Sequence, residues 1–166
     1  MKQTTFERGN ISEGIVMSAY IKAGFTVSVP FGTGAPYDLI VDNNFRLCKV
    51  QVKTGWFLNG CILYKSQRRV REAHPYAARP YTEAEVDYFA IYYPPTDSIY
   101  VVPFKMFGGT GCLRIDPVRN GQQKFIRWAR DFTWAKHVEE LTEDVTALST
   151  ELRNQYEVKA LKSSLA

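Results

Sequence analysis

The stretch PYDLIVDNNFRLCKVQVKTG, Pro36 to Gly55, decides how this chain is read. Two runs rich in apolar and β-branched residues flank Asn43-Asn44, a pair suited to a tight turn, and together they predict a hairpin. A two-residue loop at that point pairs Asp42 with Phe45, Ile40 with Leu47 and Asp38 with Lys49. Side chains alternate along a strand, so Leu39, Val41, Cys48, Val50 and Val52 project away from Asp38, Lys49, Gln51 and Lys53, which emerge on one face. Gln51 then lies diagonally across from Asp38, with roughly 7 Å between backbones. Taken singly, each polar residue has an ordinary explanation: Asp38 as a turn residue after Pro36, Lys49 and Lys53 as edge-strand lysines that discourage aggregation. Taken together, an aspartate, a polar oxygen donor and a lysine at one end of one face are the minimum kit for metal-assisted phosphodiester hydrolysis. In that chemistry a cation polarises the phosphate and acidifies the attacking water, and the lysine steadies developing negative charge or orients the water.

Outward from the hairpin, Ile11, Ile15, Val16, Ala19, Tyr20 and Ala23 recur at helical spacing, with Asn10 placed to cap the start and Gly24 to end it. Glu13, three residues after Asn10, fits a capping box as well as it fits a site. Phe25, Val27 and Val29 alternate with polar residues as a strand, and Gly60 to Tyr64 reads as another. KSQRRVREAHPYAARPYTEAE, Lys65 to Glu85, is basic and broken by prolines, and is expected as a surface excursion. Tyr88 to Tyr93 and Ile99 to Pro103 flank PPTDS as a second hairpin, and FGGTG, Phe107 to Gly111, is a loop. Gln122 to Val138 mixes Trp128 and Trp134 with Lys124, Arg127 and Arg130 and fits no single pattern. From Val138 onward, Leu141, Val145, Leu148 and Leu152 give a terminal helix with a short coiled-coil-like seam. The order predicts an α/β fold with a mixed central β-sheet flanked by helices, a basic surface excursion and a C-terminal helix.

Length and composition set the bounds. At 166 residues the chain fits one domain, 1–166, with a core over about 10–135 and a helical segment over about 136–163. Hydrophobic residues at 45% and charged residues at 23% exclude a disordered or fibrous chain. A net charge of +4 permits an anionic partner without demanding one, so the placement of charge decides. Cys48, Cys61 and Cys112 are odd in number and lack CxxC spacing, which predicts reduced, buried thiols. No uncharged apolar stretch approaches the roughly 20 residues that span a bilayer, and the start has no signal-peptide core, so the expected location is cytoplasmic.

A helix bearing Glu13, a strand, PYD, a turn and VQVKT, in that order, resemble the PD-(D/E)XK nuclease superfamily. Its pattern is a proline-aspartate followed, on the next strand, by an acidic residue, any residue and a lysine. The glutamine in QVK and the helix SEGIVMSAYIKAGF resemble, more narrowly, the branch encoded within group I introns as homing endonucleases. The likeness covers Asn10 to Thr54 closely and the hairpin DYFAIYYPPTDSIYVVPF loosely. It implies a restriction-endonuclease-like core with Asp38 as central metal ligand, Lys53 as catalytic lysine, Gln51 in the place of the second acidic residue and Glu13 contributing from the helix. The implied cofactor is Mg²⁺ on Asp38, Gln51 and Glu13, with Mn²⁺ as a substitute. Tyr37 intervenes between Pro36 and Asp38, and an amide replaces a carboxylate. Gln51 still offers an oxygen, but the lost negative charge weakens cation binding or ties it to a substrate phosphate.

In the excursion, Lys65, Gln67, Arg68, Arg69, Arg71 and Arg79 are the expected contacts to double-stranded DNA. Lysine and arginine neutralise phosphates, and arginine and glutamine also read base edges; the alternative is a solvated loop. A second basic group, Lys124, Arg127, Arg130 and Lys136, extends the footprint or decorates a helix. Cutting both strands takes two sites, hence a symmetric homo-oligomer. The resemblance implies a tetramer, with a dimer next, and the alternative for the seam is packing within its own chain. The expected function is sequence-specific hydrolysis of both strands of a long, partly symmetric duplex by a Mg²⁺-dependent homing endonuclease. The alternatives are a Holliday-junction resolvase or restriction endonuclease of the same superfamily, or a catalytically silent DNA-binding protein on this fold.

Overall fold

The first helix starts before the position that Asn10 suggests. The computed structural model describes residues 3–32, 34–69, 78–106, 111–117, 124–143 and 150, and in it α1 spans Thr5–Lys22. Thr4 caps it through a reciprocal box: the Glu7 N–H donates to Thr4 Oγ1 at 3.2 Å, and the Thr4 N–H donates to Glu7 Oε2 at 2.7 Å. This satisfies first-turn donors that no helical carbonyl can reach. The expected Asn10 cap is therefore corrected, because Asn10 lies inside the helix and the same grammar is used at Thr4. Glu13 is thereby relieved of any capping duty. Ser12, Val16 and Tyr20, four residues apart, form the buried stripe, and Gly24, at φ +91°, turns the chain out of the helix into the sheet.

The sheet contains β1 (Thr26–Ser28), β2 (Leu39–Asp42) and β3 (Leu47–Thr54), and further strands follow: β4 (Trp56–Leu58), β5 (Cys61–Leu63), β6 (Gln67–Arg69), β7 (Ala78–Pro80), β8 (Tyr88–Tyr93), β9 (Ser98–Pro103) and β10 (Cys112–Arg114). Five of them make a mixed sheet in the order β1–β2–β3–β8–β9, parallel at β3–β8 and antiparallel elsewhere. A three-stranded sheet, β10–β5–β4, and the small pair β6–β7 complete the β structure of the described residues. This bears out the α/β expectation. Val16, Tyr20, Val50, Val52, Ala90 and Leu141 fill the layer between the helices and one face of the main sheet. Ile62, Tyr81, Phe89, Ile91, Val102 and Leu113 fill the opposite layer. Each such large side chain contributes on the order of 1.5–3 kcal/mol by leaving water.

The central hairpin departs from the expected register by two residues. Asp42 pairs with Leu47, Ile40 with Lys49 and Leu39 with Val50, so the loop is residues 43–46 rather than Asn43-Asn44 alone. Asn43 is the reason. Buried to 1% exposure, its Oδ1 accepts from the N–H groups of Phe45 (3.2 Å) and Arg46 (2.9 Å), and its Nδ2 donates to the Leu141 carbonyl at 3.4 Å. Asn44 takes the left-handed conformation at φ +69°, which asparagine tolerates. A shift of two preserves which face every side chain takes. It also moves Asp38 from opposite Lys49 to opposite Gln51.

Two further expectations change. The excursion is not wholly superficial, since Tyr81, directly after β7, is 7% exposed and meets Phe89 edge-on at 5.3 Å between ring centroids. The last described helix, α2 (134–143), begins at Trp134 rather than Val138. Leu141, in the expected oligomer seam, is 1% exposed within the core of its own chain; Val145, Leu148 and Leu152 lie outside the described residues. Cys48 and Cys61 are buried, Cys112 is partly exposed, and none forms a disulfide. No helix among the described residues is long and apolar enough to cross a membrane.

Candidate active site

Asp38 stands at the mouth of β2, where its own N–H donates to the Val50 carbonyl at 2.9 Å and fixes it against β3. Its Oδ2 accepts from the Val52 N–H at 2.8 Å and from Gln51 Nε2. Gln51, 6% exposed, also donates from Nε2 to the Val52 carbonyl at 3.2 Å, and its Oε1 accepts from the Tyr81 hydroxyl at 3.0 Å. Lys53 Nζ donates to the same hydroxyl at 3.2 Å and lies 5.3 Å from the Tyr81 ring centroid. The parallel register β3–β8 places Gln51 beside Phe89 and Lys53 beside Ile91, an apolar floor under the polar groups. Asp38, Gln51 and Lys53 are thus brought together, joined through a tyrosine that the sequence reading left in the basic excursion.

Glu13 reaches the cluster from α1. Ser12, next to it, meets Thr54 hydroxyl to hydroxyl at 2.6 Å, which fastens the helix to the end of β3 beside Lys53. The Glu13 carboxyl is pushed up by burial and then by the Asp38 charge, against the opposing pull of Lys53. Burial likewise raises Asp38, offset by Lys53, the Val52 N–H and the Gln51 amide. Burial lowers Lys53, while Asp38 and Glu13 raise it and Lys65 lowers it further. Two carboxylates and one ammonium therefore share a space too dry to solvate them separately.

The described residues hold no group of three His, Cys, Asp or Glu side chains placed for a metal. The oxygen donors at hand are the carboxylates of Asp38 and Glu13, the Val52 carbonyl and the Gln51 amide, all of the hard type that suits Mg²⁺. Burial raises both carboxylates, a penalty that a cation beside them relieves. Gln51 does not turn its oxygen to Asp38. It presents its amide nitrogen, because the oxygen is taken by Tyr81.

The expected DNA contacts divide. Lys65 and Gln67 are exposed. Arg68 and Arg79 both pair with Glu85: Arg68 at 2.9 Å, and Arg79 through two bonds at 2.8 and 2.5 Å. Arg68 also donates to the Gly34 carbonyl at 2.6 Å. Glu85 further accepts from the N–H and hydroxyl of Thr82, and the Arg79 guanidinium, followed by Thr82, holds its carboxyl down at about 2. Arg71 and the side chain of Arg69 lie outside the described residues. Of the second basic group, Arg130 stacks on Trp128 at 4.7 Å and Lys136 lies 3.8 Å from Asp131. Tyr81 and Glu85 are the residues that sequence reasoning missed. The signal available was Thr82-x-x-Glu85, the grammar of a self-tied turn directly after Pro80-Tyr81.

Residues 3–135 match the family model described as PD-(D/E)XK endonuclease. Among solved structures, the chain is similar to one titled as the structure of a bacterial homing endonuclease, I-Ssp6803I. The TM-score is 0.67 and the identity 24%, over 87% of this chain and 97% of that one, a likeness of fold. No curated protein sequence matches the chain significantly. The family match covers well over half of the sequence and spans the strand pair on which Asp38, Gln51 and Lys53 converge: the chain belongs to the PD-(D/E)XK endonuclease family.

Proposed function

We propose that this chain is a sequence-specific DNA endonuclease of the homing type, hydrolysing both strands of a long, partly symmetric duplex with Mg²⁺ at a site made of Glu13, Asp38, Gln51 and Lys53. The observation that carries the reading is the convergence of Asp38, Gln51 and Lys53 on one sheet face, with the Glu13 carboxyl close enough to feel both charged partners. The homing branch is supported by the fold shared with a protein titled a bacterial homing endonuclease.

Asp38 and Glu13 would hold the cation, with the Gln51 oxygen as a further ligand. When bound, a divalent ion supplies Lewis acidity at a phosphate oxygen and a more acidic water. The chain's own residues do the rest. The Val52 N–H holds Asp38 Oδ2 in place, so the carboxylate is oriented before substrate arrives. Lys53, in its charged form, stabilises the negative charge that builds on the phosphate oxygens as water bonds to phosphorus and one phosphoester P–O bond breaks. Because burial lowers its pKa, Lys53 is neutral more often than a solvated lysine, and in that form it accepts a proton from the attacking water. Lys65, whose charge is felt at Lys53, extends the positive track along which a phosphate backbone would run. Two strands need two such sites, hence a symmetric homo-oligomer, a tetramer before a dimer.

One observation favours a second reading, a DNA-binding protein that does not cut: Gln51 turns its nitrogen, not its oxygen, to Asp38. Lys53→Ala, tested beside the wild type on a randomised duplex library with Mg²⁺, separates the two. Mg²⁺-dependent cutting by the wild type, abolished in Lys53→Ala while duplex affinity stays within about twofold, supports the nuclease. Cutting by Lys53→Ala at the wild-type rate rejects the mechanism. Duplex binding without cutting in Mg²⁺ or Mn²⁺ favours the silent binder, and preferential cutting of four-way junctions favours a resolvase.

A further inference from the structure

We infer that Tyr81 is the positioning residue of this site, its hydroxyl anchoring the end of the Gln51 amide that faces away from Asp38; the inference rests on the nuclease reading above. A lysine ammonium can only donate. The Tyr81 oxygen must therefore accept from Lys53 Nζ, 3.2 Å away, which leaves the phenol proton for Gln51 Oε1 at 3.0 Å. With its oxygen so engaged, the amide directs Nε2 to Asp38 Oδ2 and to the Val52 carbonyl. One hydroxyl thus links Lys53 to the amide, and the acceptor character of the Asp38 carboxylate sets which end of the amide faces it.

Reversing the amide without a cation would set its oxygen against the Asp38 carboxylate, acceptor against acceptor, and that costs free energy in a dry site. With a cation between them the same arrangement is favourable, and Tyr81 still serves: its oxygen accepts from the amide NH₂ while its proton rotates away. The hydroxyl therefore supports both states of the amide, and a phenylalanine supports neither. A carboxylate at position 51 has two equivalent oxygens and needs no such partner. The requirement for Tyr81 is tied to the glutamine.

The surroundings make the hydroxyl a fixed point. Tyr81 is 7% exposed, so water is a poor substitute for it. Its ring packs edge-on against Phe89, and Thr82, next in sequence, is tied to Glu85, which in turn holds Arg68 of β6 and Arg79 of β7. The phenol stays protonated at working pH, since burial and the nearby Asp38 charge push it up to about 12.

The test is Tyr81→Phe in the full chain, alone and combined with Gln51→Glu. Phenylalanine retains the packing against Phe89, and the backbone amide NMR spectrum reports whether the fold is kept. In metal-free, glutamine-labelled protein, the Gln51 side-chain NH₂ pair, assigned by its loss in Gln51→Glu, should show one strongly hydrogen-bonded proton. In Tyr81→Phe that signature should collapse toward the values of exposed glutamines. In cleavage, Tyr81→Phe should lower kcat at least tenfold with KM for the duplex within about twofold, and in the Gln51→Glu background the same change should cost less than threefold. Unchanged Gln51 resonances, or an equal loss in both backgrounds, would overturn the inference. The NMR readout uses neither DNA nor metal: a wild type that cuts nothing defeats the nuclease reading and leaves the role of Tyr81 to be decided by the amide signals.

Discussion

The buried histidine behind the sheet gives a pH dependence whose size can be worked out. His137 is 3% exposed, with its ring 4.7 Å from Tyr88 and 5.7 Å from Tyr20 between centroids and its Nε2 2.8 Å from the Tyr20 hydroxyl. Burial, aided by the Arg46 charge, holds its pKa down from 6.5 to about 4. Between those values the unfolded chain binds a proton that the folded chain refuses, so stability rises with pH in that window. It is fully present above 6.5 and is lost as pH falls toward 4. The whole window is worth about 3 kcal/mol, and the part between pH 7 and pH 5 about 2 kcal/mol. Asp38 and Glu13 act in the opposite sense, because their folded pKa values are raised. Glu85 acts in the same sense as His137 but lower, between its ordinary 4.5 and about 2. Urea unfolding at fixed protein concentration, wild type against His137→Gln, isolates the histidine, since every other group titrates alike in both. The wild type should lose about 2 kcal/mol more than the variant on going from pH 7 to pH 5. Parallel pH curves would refute the reasoning and show that His137 accepts its proton in the folded state at no cost.

Two further outcomes follow from contacts described above. Lys65→Ala should weaken duplex binding and reduce the slope of log affinity against log salt by about 1, whereas Arg68→Ala, which releases Glu85 and the Gly34 carbonyl, should lower thermal stability and leave the slope near the wild-type value. Equal slope losses in a salt titration would place Arg68 on a phosphate. At the start of α1, Thr4→Ala should cost about 1 kcal/mol in urea unfolding and Asn10→Ala close to nothing, and the reverse order would restore Asn10 as the cap.

Why some of this was legible in the sequence and some was not comes down to the range of the interactions. The alternation through Leu39, Val41, Val50 and Val52 fixed which face each residue takes, and that survived a wrong turn length because the slip was an even number of residues. The slip itself came from Asn43, whose side chain serves Phe45, Arg46 and the distant Leu141 at once. No local turn rule contains that last partner. Glu13 was ambiguous while Asn10 stood as the cap, and lost that reading once Thr4 and Glu7 took the role. Arg68 and Arg79 looked like DNA contacts by composition. A single carboxylate, Glu85, pairs with both, and charge counting along a chain does not see which pairs close. Tyr81 was hidden for the opposite reason, an aromatic core residue carried by a segment that is otherwise polar.

The amide at position 51 is then a consequence of the local charge. Asp38 and Glu13 are already raised by burial and, for Glu13, by the Asp38 charge. A third carboxylate at 51 would lie in direct contact with Asp38, where the amide now donates, and Lys53 is the cation whose charge already offsets Asp38. Such a cluster repels itself until a cation arrives, so it binds metal strongly and tolerates its absence poorly. With glutamine, the NH₂ meets Asp38 and the oxygen meets Tyr81, so both ends of the amide are satisfied. Under the proposed function, a cation would have to undo those bonds with one less negative charge to help, which would make affinity weaker and more dependent on the phosphate that arrives with DNA. By linkage the same coupling runs in reverse: duplex binding should tighten on adding Mg²⁺ by the factor by which duplex tightens Mg²⁺. Under the proposed function, a site built in this way would stay idle without its substrate, which is what an endonuclease that must spare most DNA requires.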